Sequence, residues 1–174
     1  FKNIHPMQNG CKAVFLYDES NEEYWGFLTP EASKALDDYV DERMFLGEKI
    51  TQESPVFIAT REKRLAYNQD SIRHLDHITL TSLMNRTRIG SRIENHKTGN
   101  RFEKGLFLGF RKRFNTILKL NNEVNDNAIE KMMGHKKGLD GTYFQGTFDE
   151  LFNEFKKGIL DLTIDQSEKQ LSKI

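Results

Sequence analysis

Arg111, His135 and Tyr143 are three side chains that together suit the chemistry of a phosphodiester. A guanidinium fork matches phosphate oxygens, an imidazole donates a hydrogen bond, and a phenol can attack phosphorus. Arg111 lies in GFRKRFNTILKL at 109–120, while His135 and Tyr143 bracket HKKGLDGTY at 135–143, eight residues apart. Lys136 and Lys137 bring positive charge to that link, and Gly138 and Gly141 make it bendable. No cofactor is expected, and no metal: His74, His77 and His96 lack cysteine or carboxylate companions at ligand spacing.

Helices must hold these groups. One is expected over 109–120, with Phe110, Phe114, Ile117 and Leu118 on its apolar face. At about 100° per residue, Arg111 then lies roughly 65° from the centre of that face. Arg113 lies further off, and Lys112 points almost directly away. An arginine on the margin of a core needs an anionic partner, either a protein carboxylate or a phosphate. A second helix is expected over 126–133, capped by Asn125 and stopped by Gly134, which sets His135 just beyond a helix end.

Upstream, 12–28 reads as a β-hairpin: Ala13–Tyr17 and Tyr24–Leu28 are aromatic and β-branched runs around the turn residues Asp18-Glu19-Ser20-Asn21. Thr29-Pro30-Glu31 then starts a helix, with a capping hydroxyl, a proline in the first turn and an acid at the positive dipole end. Ala32, Leu36, Tyr39, Val40 and Met44 are expected on its inner face, and Gly47 stops it. Residues 60–71 read as a polar, basic loop. A helix over 75–89 is expected to bury Ile78, Leu80, Leu83 and Met84, and 90–104 reads as a mobile connection. The tail, 147–162, places Phe148, Leu151, Phe152, Phe155, Ile159 and Leu162 at helical spacing. That stripe fits either its own core or a neighbouring protomer.

Formal net charge is zero, yet the charges are sorted. Residues 18–53 hold eleven acids and three bases, whereas 86–119 hold ten bases and two acids. Such a chain either shows one basic face to a polyanion or balances its charges internally. No apolar run is long enough for a membrane span, and no signal peptide is visible. A single cysteine, Cys11, excludes an internal disulfide. The start at Phe1, in the run-up to a strand, reads as a fragment of a longer chain.

The blocks GFRKRFNT (109–116) and MGHKKGLDGTYF (133–144), with EEYWGFLTPEA (22–32) and GEKITQESPVF (47–57), resemble the tyrosine recombinase, or phage integrase, superfamily and in particular its archaeal integrase-like branch. The resemblance covers nearly the whole chain. It implies an α+β, mostly helical catalytic domain over 1–174, with a small antiparallel hairpin or sheet near its start and an N-terminal part missing. It implies a site-specific recombinase of phage or provirus DNA, acting in the cytoplasm as a dimer or tetramer on double-stranded DNA. A tyrosine attacks the scissile phosphate, forming a 3′-phosphotyrosyl bond and freeing a 5′-hydroxyl, and another strand's 5′-hydroxyl reverses the step. By this resemblance Arg111 is the family's second arginine, His135 the donor after the helix stop, and Tyr143 the nucleophile. Many relatives have the tyrosine one place later, where this chain has Phe144. Lys112, Arg113, Lys136, Lys137, Arg92 and Arg101 are expected DNA contacts.

Three departures from the family pattern accompany the match. The first arginine would precede Phe1. Leu108 stands where the HxxR motif has histidine. The hairpin turn has no lysine, and Lys12 is a poor stand-in. These departures suit an alternative, a catalytically inactive DNA-binding remnant of an integrase. A third reading is an unrelated helical regulator.

Overall fold

The computed structural model describes residues 1–59, 72–94, 96–99, 101–102, 105–135, 145–165, 167 and 169, with only the backbone at 98, 101, 102 and 106. The chain is α+β. Its contacts gather in two compact units, one made of Phe1 and Val40–Lys112, the other of Lys2–Tyr39 and Arg113–Ile174.

The second unit is built on an antiparallel sheet of β1 (Ile4–Pro6), β2 (Lys12–Leu16) and β3 (Tyr24–Leu28), in that order. The expected hairpin forms, with Ala13 opposite Phe27 and Phe15 opposite Trp25. Alternation puts Ala13 and Phe27 on the covered face, where both are buried. Thr29 Oγ1 accepts a hydrogen bond from the Ala32 amide (3.2 Å), and α1 (Pro30–Phe45) begins as its sequence predicts.

Three more helices close this unit's core. They are α4 (Asp126–Met132), α5 (Phe148–Lys157) and α6 (Ile159–Leu162), joined by the last turns of α3 (Leu106–Leu120). Leu118, Ala128, Ile129 and Phe155 are fully buried, beside Cys11, Phe27, Met132, Leu151 and Phe152. Burial of each large side chain among these contributes about 1.5–3 kcal/mol. The ring of Phe27 lies 5.4 Å from Phe152 and 5.3 Å from Phe155, and Trp25 meets Phe148 edge-on at 4.8 Å. The tail's apolar stripe is thus used within its own chain. The tail is two helices and not one, since Gly158 interrupts it. A Cβ at Gly158 would run into the Leu118 side chain, so close packing against α3 requires the glycine. Thr147 and Glu150 form a capping box at the start of α5.

The first unit is held differently. Among its described residues only Arg43 and Glu48 are buried, and they pair with each other: Arg43 Nε donates to Glu48 Oε2 at 2.8 Å. The same guanidinium donates to the carbonyls of Val56 (2.7 Å) and Pro55 (3.0 Å), fastening the segment after α1 to its last turn. The inner line of α1 therefore corrects the expected one. Ser33 and Arg43 are buried and Leu36, Tyr39 and Val40 half-buried, while Ala32 and Met44 are exposed.

α2 (His77–Gly90) starts at Asp76, whose carboxylate accepts from the Thr79 amide at 2.8 Å. None of its residues is buried, and Ile78 and Leu83, expected in a core, are 78% and 52% exposed. Apolar spacing defines a face; it does not supply the surface that covers it. Within the expected mobile connection the chain makes a small hairpin, β4 (Lys97–Thr98) with β5 (Arg101–Phe102), turned at Gly99 (φ 64°). Among the described residues no helix is long and apolar enough to cross a membrane.

Candidate functional site

His135 owes its position to the way α4 ends. Gly134 adopts φ 67°, a left-handed conformation that turns the chain back over the helix. The Gly134 amide then donates to the Lys131 carbonyl (3.0 Å) and the His135 amide to the Glu130 carbonyl (3.0 Å). A Cβ at Gly134 would collide with the Tyr24 ring, so β3 packs directly on this turn.

This backbone closure brings residue 135 over residue 130, and their side chains meet. His135 Nδ1 lies 2.7 Å from Glu130 Oε2. The other carboxylate oxygen, Oε1, accepts from Lys119 Nζ of α3. Glu130 is buried, whereas the His135 side chain is 43% exposed and that of Lys119 35%. The hydrogen bond to Glu130 is the main reason the Lys119 ammonium titrates above its ordinary 10.5, with desolvation opposing it. Glu130 accepts from Lys119, and a proton on Nδ1 of the imidazole lets it accept from the ring as well. Carboxylate and imidazole held in this way form a unit that fixes the orientation of the ring.

Glu130 and Lys119 escape a reading of the sequence for reactive groups alone, because both look like ordinary helix-surface charges. A signal for them exists nonetheless. In Glu-x-x-x-Gly-His, the glycine stop stacks the histidine over the acid, so opposite partners five apart across a helix-ending glycine are neighbours.

Arg111 is on α3, in the first unit, whereas His135 belongs to the second. Its expected place on the margin of a core is corrected. Core packing on α3 begins at Phe114, while Phe110 is 60% exposed and Arg111 is exposed with it. An exposed guanidinium carries little desolvation cost. Lys112 and Arg113 are exposed on the same helix. Arg92 is exposed just after α2, in the left-handed region at φ 53°. Arg101 pairs with Thr98 in the small hairpin, its side chain outside the described residues. Tyr143, Lys136 and Lys137 also lie outside the described residues.

Where the family pattern departs, the structure is specific. Leu108 is 58% exposed. The turn between β2 and β3 carries Asp18, Glu19, Glu22 and Glu23, with Tyr17 and Glu19 at positive φ. Lys12 is bound to Asp37 at 2.7 Å. Cys11 is buried, and burial raises its thiol pKa against a smaller opposing effect of Lys156, so it stays neutral and unreactive. Among the described residues no group of three or more His, Cys, Asp or Glu could hold a metal.

No protein-family model matches this chain, and no curated protein or solved structure matches it either.

Proposed function

We propose that this chain is a DNA strand-cleaving and rejoining domain of the tyrosine recombinase type. The observation that carries the reading is His135 set on a helix stop and oriented through Nδ1 by Glu130. That arrangement orients the ring before any charge has developed on the substrate, and with both nitrogens protonated Nε2–H is the donor it offers. The order of elements supports it as well. A hairpin leads into α1, an exposed arginine rises from α3, and the α4 stop feeds the lysine- and glycine-rich link that contains Tyr143.

In this mechanism the Tyr143 phenolic oxygen attacks the scissile phosphorus and loses its proton. The P–O bond to the 5′ side breaks, and the 5′-oxygen leaves as a hydroxyl after taking a proton. Arg111 and His135 bind non-bridging oxygens as their charge grows. The 3′-phosphotyrosyl ester conserves the bond energy, and a 5′-hydroxyl from another strand reverses the step, so neither metal nor nucleotide is consumed. Lys112, Arg113, Lys136, Lys137, Arg92 and Arg101 would engage the phosphate backbone, and two duplexes would be brought together by self-association of the protein on DNA.

One observation favours a second reading, a DNA-binding remnant without chemistry. The leaving 5′-oxygen needs a proton, and the hairpin turn that should bring a lysine is acidic, while Lys12 is engaged by Asp37. The two readings part on a nicked suicide DNA substrate incubated with the full-length protein. Strand cleavage predicts a covalent protein–DNA adduct that disappears in Tyr143→Phe and in Arg111→Ala, with DNA affinity lowered only modestly. Retention of DNA with no adduct in the unaltered protein selects the remnant.

A further inference from the structure

We infer that the Arg88 guanidinium, at the end of α2, is a binding site for a phosphate group. Where that phosphate belongs to DNA, this rests on the proposed function; the site itself does not.

Arg88 and Arg43 hold the same place in two helix endings of the first unit. In each, the arginine carbonyl accepts the amide five residues on, from Glu48 at 3.1 Å and from Ile93 at 3.2 Å. The side chains then differ. Beside Arg43 stands the Glu48 carboxylate, and the Val56 and Pro55 carbonyls take further N–H groups. Beside Arg88 the matching position is isoleucine, which offers only its backbone: Arg88 Nη1 donates to the Ile93 carbonyl at 3.2 Å.

A guanidinium carries five N–H donors in a rigid fork. Among the described residues that carbonyl is the only acceptor Arg88 has, and its Nε–H is enclosed with no partner. The residue is half-buried, so part of its charge is desolvated with no anion to offset the cost. The helix dipole favours a cation here but satisfies no N–H. Glu94, the acid nearest in the chain, is 82% exposed and lies 3.4 Å from His96.

The surroundings suit an oxyanion. Carbonyls at the end of α2, which would repel one, already accept amides: Thr87 from Ser91 at 2.9 Å and Ile89 from Arg92 at 3.0 Å. The same closure turns the chain at 92–93 back over Arg88, and Arg92 is exposed. Arg92 holds φ 53°, where a glycine would be relaxed, and a ligand for its charge accounts for an arginine there. Two cations at one turn match a phosphate, whose oxygens also fit the arginine fork.

The side-chain Nε–H resonance of Arg88, assigned by its loss in Arg88→Lys or Arg88→Met, reports on the site in the unaltered full-length protein. Inorganic phosphate, at an ionic strength held constant with chloride, and a mixed-sequence DNA duplex should each shift it saturably. Arg88→Met should flatten the salt dependence of duplex affinity by about one phosphate contact. Arg88→Lys keeps the charge and so the slope, but should bind inorganic phosphate several-fold more weakly for want of the fork, and it serves if the methionine variant does not fold. A shift with duplex alone assigns the site to the DNA backbone; a shift with inorganic phosphate alone, and an unchanged slope, assigns it to a free phosphate. A resonance that moves with neither overturns the inference. A shift with duplex in a protein that never forms a covalent adduct upholds the site and removes strand cleavage, whereas an adduct without any shift does the reverse.

Discussion

The ends of α1 and α4 are built to the same plan and put to different uses. Both stop at a glycine in the left-handed region, Gly47 at φ 94° and Gly134 at φ 67°. In both, the next residue donates its amide to the carbonyl five places back, Glu48 to Arg43 and His135 to Glu130. In both, those two residues also pair through their side chains. At the end of α1 the two partners are 3% and 1% exposed, and the arginine spends its remaining donors on the Val56 and Pro55 carbonyls. At the end of α4 the acid is buried but its two partners reach the surface. The same pattern of helix closure yields a sealed clamp in one place and an oriented, half-exposed ring in the other, and burial makes the difference.

Neutralising the acid should separate the two most widely. Glu48→Ala leaves Arg43 charged and enclosed, and should cost about 3–5 kcal/mol in urea unfolding. Glu130→Ala leaves Lys119 and His135 able to regain water, and should cost about 1–2 kcal/mol. Equal costs would mean that burial is not what distinguishes the two ends.

Gly134→Ala comes next. A left-handed alanine alone costs about 1–2 kcal/mol, and the collision with Tyr24 adds to that. Pairing it with Tyr24→Ala should recover the steric part and not the conformational part, as a thermal-melt double-mutant cycle would show.

The smallest effect concerns a third helix end. α2 closes by the same pattern, with the Ile93 amide bonded to the Arg88 carbonyl, but Arg92 occupies the glycine position at φ 53°. Arg92→Gly should stabilise the protein by about 0.5–1 kcal/mol. If Arg92 also contacts DNA, the same change should weaken binding and flatten its salt dependence by roughly one phosphate contact. Stabilisation with an unchanged salt slope would take Arg92 off the DNA-binding surface.

Local signals were easiest to read where one chain segment settles its own conformation. The β2–β3 hairpin, the Thr29 cap, and the Asn125 and Gly134 boundaries of α4 all depend on residues a few places apart. Burial on α2 was not legible, because Ile78 and Leu83 have the right spacing for a core but no described surface over them. The β4–β5 hairpin was missed among charged residues, although the Gly-Asn pair at 99–100 is a turn signal. At the site, His135 declared itself by type, whereas Glu130 becomes informative only once the helix stop is seen to stack position 135 over position 130. Arg111 was misplaced for the same reason as Ile78: periodicity gave its angle on α3, and Phe110 turned out to be exposed.

The proposed strand cleavage requires a covalent bond between Tyr143 and DNA. Trapping the full-length protein on a suicide substrate, digesting it and mapping the nucleotide-bearing peptide by mass spectrometry tests for that bond. A nucleotide on Tyr143, in the peptide that follows Lys137, is the expected result. A nucleotide on any other residue, or none at all under conditions where the DNA is bound, rules out Tyr143 as the nucleophile.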